Sequence, residues 1–503
     1  MTPAPSGPRD NSGLLHHAAQ GVVGWAVPLT VTFVATPLIV HGLGPDGFAV
    51  YAWAAAFAAG IATAGPARGV LHLVSRSGVA RLRHEAVSAG LWTSVGLGSL
   101  AAGVLWVLAS SAASMAQLPA VLAMPALRIA AVGAVSAAVT AVCVGALQGL
   151  KRFGTATMLT SIAAVVTAAG AAWIATSAWG VVALVSWQAG VSLVLSVASV
   201  LVIRRAVGPV FTPPTTTAAA SVTRFGLVTI GTQLVFAAWV IVERTLVGRY
   251  LGAEMLTALV VGLLLWMHAN AALVSAVQVM ASLAPDGSRG VDDRLARAYP
   301  SATIMTAVVA VASAALIAGL GVPALTLWIG PGIATVAEPL LLPLALGVGL
   351  NSLGTTAWFA NEAEGRPARN LVWAATGLVL TTITLLWLAP AGHAASAGIA
   401  RLVAVAPGPL FIVWTEWSSR GRLRAPWWSI LTYIVPCGIV LFVGLRTVAI
   451  AATSSWLVFF VAAMLGLALY AAVVWHLPVM TERNRQALRS WLRQLARPRP
   501  RPR

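Results

Sequence analysis

The chain has 503 residues, of which 59% are hydrophobic and 9% are charged, and its mean hydropathy is +0.88. Soluble domains typically carry about 25% charged residues, so this composition excludes a water-soluble globular protein. The net charge of +18 would suit nucleic-acid binding in a soluble domain, but here the basic residues lie in short loops between apolar spans, which favours membrane lipids over nucleic acid as partners.

Apolar windows of about twenty residues, the length that crosses a hydrocarbon core of about 30 Å, recur along nearly the whole chain. The first window, Gly21 to Val40, contains no ionisable residue and is too long for the core of a signal peptide, so we expect it to remain in the mature protein. The pattern predicts fourteen membrane-spanning helices, spans 1 to 14, at 21–40, 48–73, 86–110, 125–145, 155–176, 181–203, 225–243, 255–281, 300–320, 336–356, 369–389, 393–414, 428–446 and 450–476.

Arginine and lysine are distributed very unequally between alternate loops. One set of loops and the two termini hold 25 of the 31 basic residues, including eight arginines after Trp475, whereas the opposite set holds only Arg244, Arg249 and Arg446. Cytoplasmic loops retain positive charge, so the first set is predicted to face the cytoplasm. We therefore expect a multi-pass protein of the cytoplasmic membrane with both termini inside.

Two pairs of segments indicate an internal repeat. Residues 37–54 and 244–261 align on an L-G-[PA]-[DE] turn with an offset of 208, and residues 151–173 match 365–387 with an offset near 214. Each repeat holds six spans, so both have the same membrane orientation and should be related by an axis along the membrane normal. The expected fold is all-α, with two six-helix lobes in a pseudo-two-fold repeat, two extra C-terminal helices, and a substrate site where the lobes meet.

The predicted organisation follows from these limits. It comprises a cytoplasmic N-terminal segment (1–20), an N-lobe (21–203), a cytoplasmic linker (204–224), a C-lobe (225–414), spans 13 and 14 (428–476) and a basic cytoplasmic tail (477–503).

Several motifs together carry a family resemblance. They are LGPDGFAVY at 43–51, ALQGLKRF at 146–153, VERTLVGRYLGAE at 242–254, ALTLWIG at 324–330 and GHAASAGIA at 392–400. In this order they resemble the polysaccharide transporter family of the multidrug/oligosaccharidyl-lipid/polysaccharide exporter (MOP) superfamily, which includes the O-antigen and exopolysaccharide flippases. The resemblance covers about residues 12 to 476. It departs from the usual pattern at Ala64-Gly65-Pro66-Ala67, where an acidic residue is common, and at Ala258 or Leu259, where a tyrosine is common.

The resemblance implies that the chain moves a polyprenyl-diphosphate-linked glycan to the outer leaflet by alternating access. Glycosyltransferases and a polymerase of the same pathway would then be partners, and a coupling ion, H+ or Na+, is left open. Neither a catalytic constellation nor a metal or cofactor motif stands out in the sequence, so we expect no enzyme activity and no cofactor. The alternatives are a small-molecule or drug exporter of the same superfamily and a polytopic glycosyltransferase or polymerase.

Charged residues within bilayer helices are costly, which makes them candidates for cargo binding. A diphosphate suits arginine, whose planar guanidinium stays charged and donates several hydrogen bonds. The substrate-binding candidates are Arg401, Arg68 and Arg244, with His268 and Asn270 as neutral polar candidates in span 8.

Each candidate also has a structural interpretation. Arg401 could form a buried ion pair between helices, Arg68 could extend its stem to the cytoplasmic interface, and Arg244 could pair with the adjacent Glu243 or with another helix. Neutral polar groups such as His268 more often make interhelical hydrogen bonds than bind cargo.

Overall fold

The computed structural model describes residues 11–63, 66–77, 79–177, 179–277, 293–482 and 485–486. Every regular element in these ranges is a helix, which confirms the all-α prediction. Most of the predicted basic tail lies outside the described residues.

The helices are named in chain order. They are α1 (Asn11–Thr63), α2 (Ala67–Arg76), α3 (Ala80–Met115), α4 (Ala120–Gly149), α5 (Phe153–Thr176), α6 (Gly180–Val207), α7 (Thr216–Val277), α8 (Asp293–Trp328), α9 (Pro331–Ala363), α10 (Ala368–Leu388), α11 (Ser396–Val405), α12 (Gly408–Ser418), α13 (Trp427–Ser429), α14 (Val435–Ala452) and α15 (Trp456–His476). A 3-10 turn, Ala389–Ala391, follows α10, and a π-helical turn, Ile430–Ile434, joins α13 to α14.

The number of membrane crossings agrees with the prediction. The described residues contain 12 helical stretches that are long and apolar enough to cross a membrane. Two of them, Val27–Ser75 with 49 residues and Ile230–Met267 with 38, far exceed the roughly twenty residues of one crossing. Each is interrupted by a glycine outside the helical region, Gly44 or Gly252, so each contains two spans and the total becomes fourteen.

The turns between the spans confirm the repeat. Gly44 has φ 68° and ψ 173°, and Gly252, 208 residues later in the chain, has φ 85° and ψ 175°. Four further pairs of residues with positive φ lie 212 to 214 residues apart, namely Gln117 with Gly330, Lys151 with Gly365, Gly180 with Gly392, and Gly208 with Gly421. The same sequence of backbone reversals therefore occurs in both six-helix repeats.

The two kink glycines should resist substitution. At positive φ and ψ near 180° a Cβ is strained by its own backbone, and a non-glycine residue costs about 1 to 3 kcal/mol. We expect Gly44→Ala and Gly252→Ala each to lower the free energy of unfolding by that amount, measured by denaturation in mixed micelles. Gly103→Ala is the matched control, because Gly103 is helical and has open space around it, and should be neutral or stabilising. Equal stability of all three variants would contradict this reading of the kinks.

Proline explains where predicted spans break. In span 2, Pro66 is not helical and α2 begins at the next residue, Ala67, and span 12 is divided into α11 and α12 at Pro407. A proline in a helix removes a hydrogen-bond donor and clashes with the preceding turn. The helices also extend beyond the apolar windows, since α6 ends at Val207 and α7 begins at Thr216; the cytoplasmic linker at 204–224 stays a prediction.

The chain divides into two compact units. The first contains residues 1–264 and 366–404, and the second contains residues 265–365 and 405–503. The passage at 404–405 lies close to the break between α11 and α12. The predicted lobe limits follow the repeat instead of these units, and they stay a prediction.

Each unit has its own core. In the first, Val70, Leu91, Val142, Leu147 and Ile203 join α2, α3, α4 and α6. In the second, α8, α14 and α15 pack through a cluster that includes Ile304, Leu441, Leu445, Tyr470 and Val474. The tyrosine hydroxyl in this cluster also donates to the Val308 carbonyl, over 3.0 Å.

Candidate functional site

A buried ion pair lies at the centre of the candidate site, within the first unit. Arg401 on α11 donates from Nη2 to Oε2 of Glu243 on α7. The arginine side chain is 11% exposed and the glutamate side chain is fully buried. The alternative that the sequence left open for Arg401, a buried interhelical pair, is therefore present, and its role as a cargo ligand stays a prediction.

An indole ring supports this pair. Trp239 lies one helical turn before Glu243, and its ring centroid is 4.7 Å from the guanidinium carbon of Arg401. Gly377 on α10 lies against the same ring, since a Cβ there would come within 2.4 Å of the indole. Phe236 stacks on the ring at 5.9 Å. A cation held against an aromatic face gains electrostatic stabilisation, and this gain increases when the cation is shielded from water.

Arg244 faces a different helix from its neighbour Glu243. Its Nη1 donates to the carbonyl oxygen of Ala52, in the second span of α1. The preceding prediction left open whether Arg244 pairs with Glu243 or with another helix, and the structure shows the contact with another helix. Adjacent residues on an α-helix point in different directions, which explains why Glu243 and Arg244 reach different partners.

Two further hydrogen bonds join the same parts of the chain. Trp53 Nε1 donates to Thr245 Oγ1 over 3.0 Å, and Thr257 Oγ1 donates to the Pro45 carbonyl over 2.9 Å. We call these two bonds and the Arg244 bond to Ala52 the outer contact, because the arginine distribution predicts that this end of the spans faces outside. The outer contact joins span 2 and the turn before it, in the first repeat, to span 8 and the turn before it, in the second.

The charges of the cluster do not cancel. Glu243, Arg244 and Arg401 together carry two positive charges and one negative charge. Glu243 is already engaged by Arg401, and its Oε1 has no hydrogen-bond partner among the described residues. In surroundings of low dielectric constant a net positive charge attracts an anion strongly. The cluster therefore favours an anionic ligand over a cationic one.

A polar pair and a small cavity extend from this cluster. Gln188 Nε2 donates to the Tyr51 hydroxyl over 2.7 Å, and Tyr51 is close enough to Arg244 to interact electrostatically. Gln188 also lines a cavity of about 160 Å³ between α1, α4 and α6, whose walls are mostly alanine, including Ala55 and Ala134. The cavity is thus lined mostly by small apolar side chains, with the polar side chains of Gln188 and Ser192 among them.

The other predicted site residues have different positions. The Arg68 side chain is exposed on α2, and both its role in cargo binding and the reach of its stem to the interface stay predictions. The side chains of His268 and Asn270 lie outside the described residues, so nothing places them near the pair. Outside the cluster, Arg128 lies 5.4 Å from the Trp106 ring, and Arg249 lies 5.4 Å from the Tyr250 ring.

Sequence reasoning missed two residues of the cluster. Trp239 could have been found from its position four residues before Glu243, which places both on one face of α7. Tyr51 had no such signal, because its neighbours in space come from α6 and α7. Within the described ranges, the structure has no group of three or more His, Cys, Asp and Glu side chains arranged to hold a metal ion.

Three solved structures have the same fold. The lipid II flippase MurJ in its inward closed conformation gives a TM-score of 0.69 at 11% identity, covering 90% of this chain and 98% of that chain. An inward-facing multidrug resistance MATE family transporter of the MOP superfamily gives 0.63 at 18% identity, covering 80% and 98%. A MOP superfamily transporter from Pyrococcus furiosus Vc1, described as having a binding pocket of reverse polarity, gives 0.59 at 18% identity, covering 82% and 96%.

These identities are low, so the likeness is one of fold. It confirms a multi-pass membrane protein with the architecture of the MOP superfamily. No curated protein matches the chain by sequence.

The sequence itself matches a family profile described as polysaccharide biosynthesis protein over residues 43–332, which is more than half of the chain. The match includes both L-G turns and the outer contact. The chain belongs to the polysaccharide biosynthesis protein family and has the fold of the MOP transporters.

Proposed function

We propose that the protein is a flippase that moves a polyprenyl-diphosphate-linked oligosaccharide from the cytoplasmic to the outer leaflet for cell-surface polysaccharide synthesis. The observation that carries the proposal is the net positive cluster of Glu243, Arg244 and Arg401, where helices of both repeats meet within the first unit. A diphosphate is the part of such a cargo that needs fixed, multidentate donors. Membership of the polysaccharide biosynthesis family supports the same class of cargo.

The outer contact suggests how the transport cycle is arranged. Arg244, Thr245 and Thr257 are bonded to the first repeat, so the predicted outer ends of these spans are held together. Cargo would then enter from the cytoplasmic side, and its release outside would require these bonds to break. We propose alternating access in which Arg244 exchanges the Ala52 carbonyl for a phosphate oxygen when cargo is bound.

The competing function is export of a small molecule or drug, which the MATE relatives of the same fold suggest. A cationic drug or a coupling cation would need an accessible carboxylate. Glu243 is fully buried and bonded to Arg401, so this carboxylate is poorly placed for either. The charge of the cluster therefore favours the flippase over the exporter.

A chromosomal deletion would test the proposal in cells. We expect lipid-linked oligosaccharide to accumulate in the cytoplasmic leaflet, because its synthesis continues while its translocation stops, and we expect surface polysaccharide to disappear. Leaflet position is read from the accessibility of the glycan to an impermeant lectin in intact spheroplasts and in inverted vesicles. Complementation by the wild-type gene should restore outward exposure.

Two outcomes would count against the proposal. Unchanged surface polysaccharide with greater sensitivity to toxic small molecules would favour an exporter. Covalent alteration of a polyprenyl-linked sugar by the purified protein would favour an enzyme.

A further inference from the structure

A second feature lies in the other unit, at the predicted cytoplasmic end of span 12. It is an open cavity of about 620 Å³, lined by a single stretch of chain that includes Val413, Glu416, Trp417, Arg420, Gly421 and Arg424. The arginine distribution predicts that this loop faces the cytoplasm. Arginines that only determine the orientation of a membrane protein do not require a cavity beside them. The cavity at Arg420 and Arg424 therefore needs a separate explanation.

The acidic residue that lines the cavity, Glu416, is fixed by hydrogen bonds. Glu416 accepts hydrogen bonds from Trp427 Nε1 over 2.8 Å, from the Ala425 backbone N–H over 3.2 Å and from the Tyr299 hydroxyl over 3.3 Å. Its carboxylate therefore accepts three hydrogen bonds, from α8, from the loop after α12 and from α13. Arg424 is close enough to interact with it electrostatically.

The loop conformation brings the two arginines to the rim. Arg420 and Gly421 have φ values of 56° and 75°, so the chain turns sharply through two left-handed residues. A Cβ at position 421 would lie 3.1 Å from Nη2 of Arg424, which shows that this guanidinium lies directly over the glycine. The left-handed conformation is unfavourable for arginine, and such strain is retained where the surroundings or a function require it.

The cavity also continues an apolar surface of α12. Leu410, Val413 and Trp417 are 72%, 58% and 81% exposed, and their spacing of three and four residues places them on one face of the helix. In a membrane this face lies against lipid chains. α12 ends at Ser418, and Arg420 and Arg424 in the loop that follows line the same cavity as Val413 and Trp417. A lipid-facing strip therefore ends at two guanidinium groups.

We propose that this cavity binds the phosphate head group of a membrane lipid in the cytoplasmic leaflet, with the lipid chain along Leu410, Val413 and Trp417. Arg420 and Arg424 would donate to the phosphate oxygens, the geometry in which guanidinium is most effective. The lipid phosphate could belong to a bilayer phospholipid or to a polyprenyl diphosphate. A lipid phosphate would bind here whichever cargo the protein transports.

Counting bound lipids on the purified full-length protein by native mass spectrometry tests this site. The probes are phosphatidylglycerol, a polyprenyl diphosphate and the uncharged polyprenol. Each arginine near a membrane surface contributes about 1 kcal/mol, so we expect Arg420→Gln/Arg424→Gln to weaken binding of the phosphate lipids roughly thirtyfold, with the loss of one bound lipid. The polyprenol should bind wild type and variant alike.

Two control variants distinguish loss of the lipid site from a general loss of positive charge. Arg446→Gln removes a half-exposed arginine from the predicted outer side and should leave lipid binding unchanged. Arg420→Lys/Arg424→Lys keeps the charge and should lose less affinity than the glutamine variant. Elution as a single peak from a sizing column establishes that each variant is folded.

The two lipid sources are separated by relative affinity. Tenfold tighter binding of polyprenyl diphosphate than of phosphatidylglycerol, lost in the double variant, would assign the site to the carrier lipid. Similar affinities would assign it to bilayer phospholipid, and both results support a lipid phosphate site. Wild-type binding of both phosphate lipids by Arg420→Gln/Arg424→Gln would overturn the proposal.

Discussion

Replacement of Arg401 by alanine is expected to destabilise the protein by about 3 to 5 kcal/mol, because it leaves the carboxylate of Glu243 buried without its partner. The Trp239 ring would also lose the cation that it holds. The loss should be visible as a lower midpoint in denaturation experiments on mixed micelles. Arg401→Ala is therefore an unsuitable test of cargo binding on its own, since reduced transport could follow from reduced stability.

A double substitution separates stability from charge. Replacing both members, as in Glu243→Leu/Arg401→Leu, removes the unpaired buried charge and should recover most of the stability lost by Arg401→Ala. The matched control is the pair of Arg446 and Glu338, whose atoms are 3.7 Å apart and whose side chains are about half exposed. Breaking that pair should change stability by less than about 1 kcal/mol. Wild-type stability of Arg401→Ala would contradict the buried pair.

The second large effect is expected from Arg244→Gln, and it concerns transport. The substitution brings the net charge of the cluster from positive to neutral and removes the donor to the Ala52 carbonyl. A charge-assisted hydrogen bond is worth about 1.5 to 3 kcal/mol, so transport of a diphosphate-linked cargo should fall between about tenfold and about a hundredfold. The rate is measured in proteoliposomes at subsaturating cargo.

Arg249→Gln is the matched control for this variant. Arg249 is five residues away, is exposed and lies over the Tyr250 ring, so its loss should leave the rate close to that of wild type. Arg244→Lys, which keeps the charge but not the planar fork, should give an intermediate rate. An equal loss in Arg244→Gln and Arg249→Gln would show that the effect is general surface charge and not the cluster.

The sequence was informative about topology for a physical reason. A bilayer requires about twenty apolar residues per crossing and leaves arginine on the cytoplasmic side, so composition alone specifies the spans. The L-G turns at Gly44 and Gly252 could also be aligned, because their positive φ values restrict both positions to glycine. Pro66 and Pro407 each lie immediately before the first residue of a helix, α2 and α12, and proline is the residue that most often interrupts a helix.

The site was harder to predict because its contacts are distant in sequence. Glu243 and Arg244 are adjacent, yet one bonds to Arg401 across 158 positions and the other to Ala52 across 192. Span prediction gives the depth of a residue but not the direction that it faces around the helix. Arg420 and Arg424 were counted only among the basic residues that predict the cytoplasmic side. The cavity beside them depends on a loop conformation that cannot be predicted from the sequence.

The most direct test of the proposed function uses the wild-type protein in proteoliposomes that contain a fluorescent polyprenyl-diphosphate-linked oligosaccharide in both leaflets. An impermeant quencher or glycosidase reports the fraction of cargo in the outer leaflet with time. We predict that wild-type vesicles make nearly all of the cargo accessible and that Arg244→Gln vesicles do so about tenfold to a hundredfold more slowly, whereas protein-free vesicles leave close to half protected. Protection of the same fraction of cargo in wild-type and protein-free vesicles would contradict the assignment as a flippase.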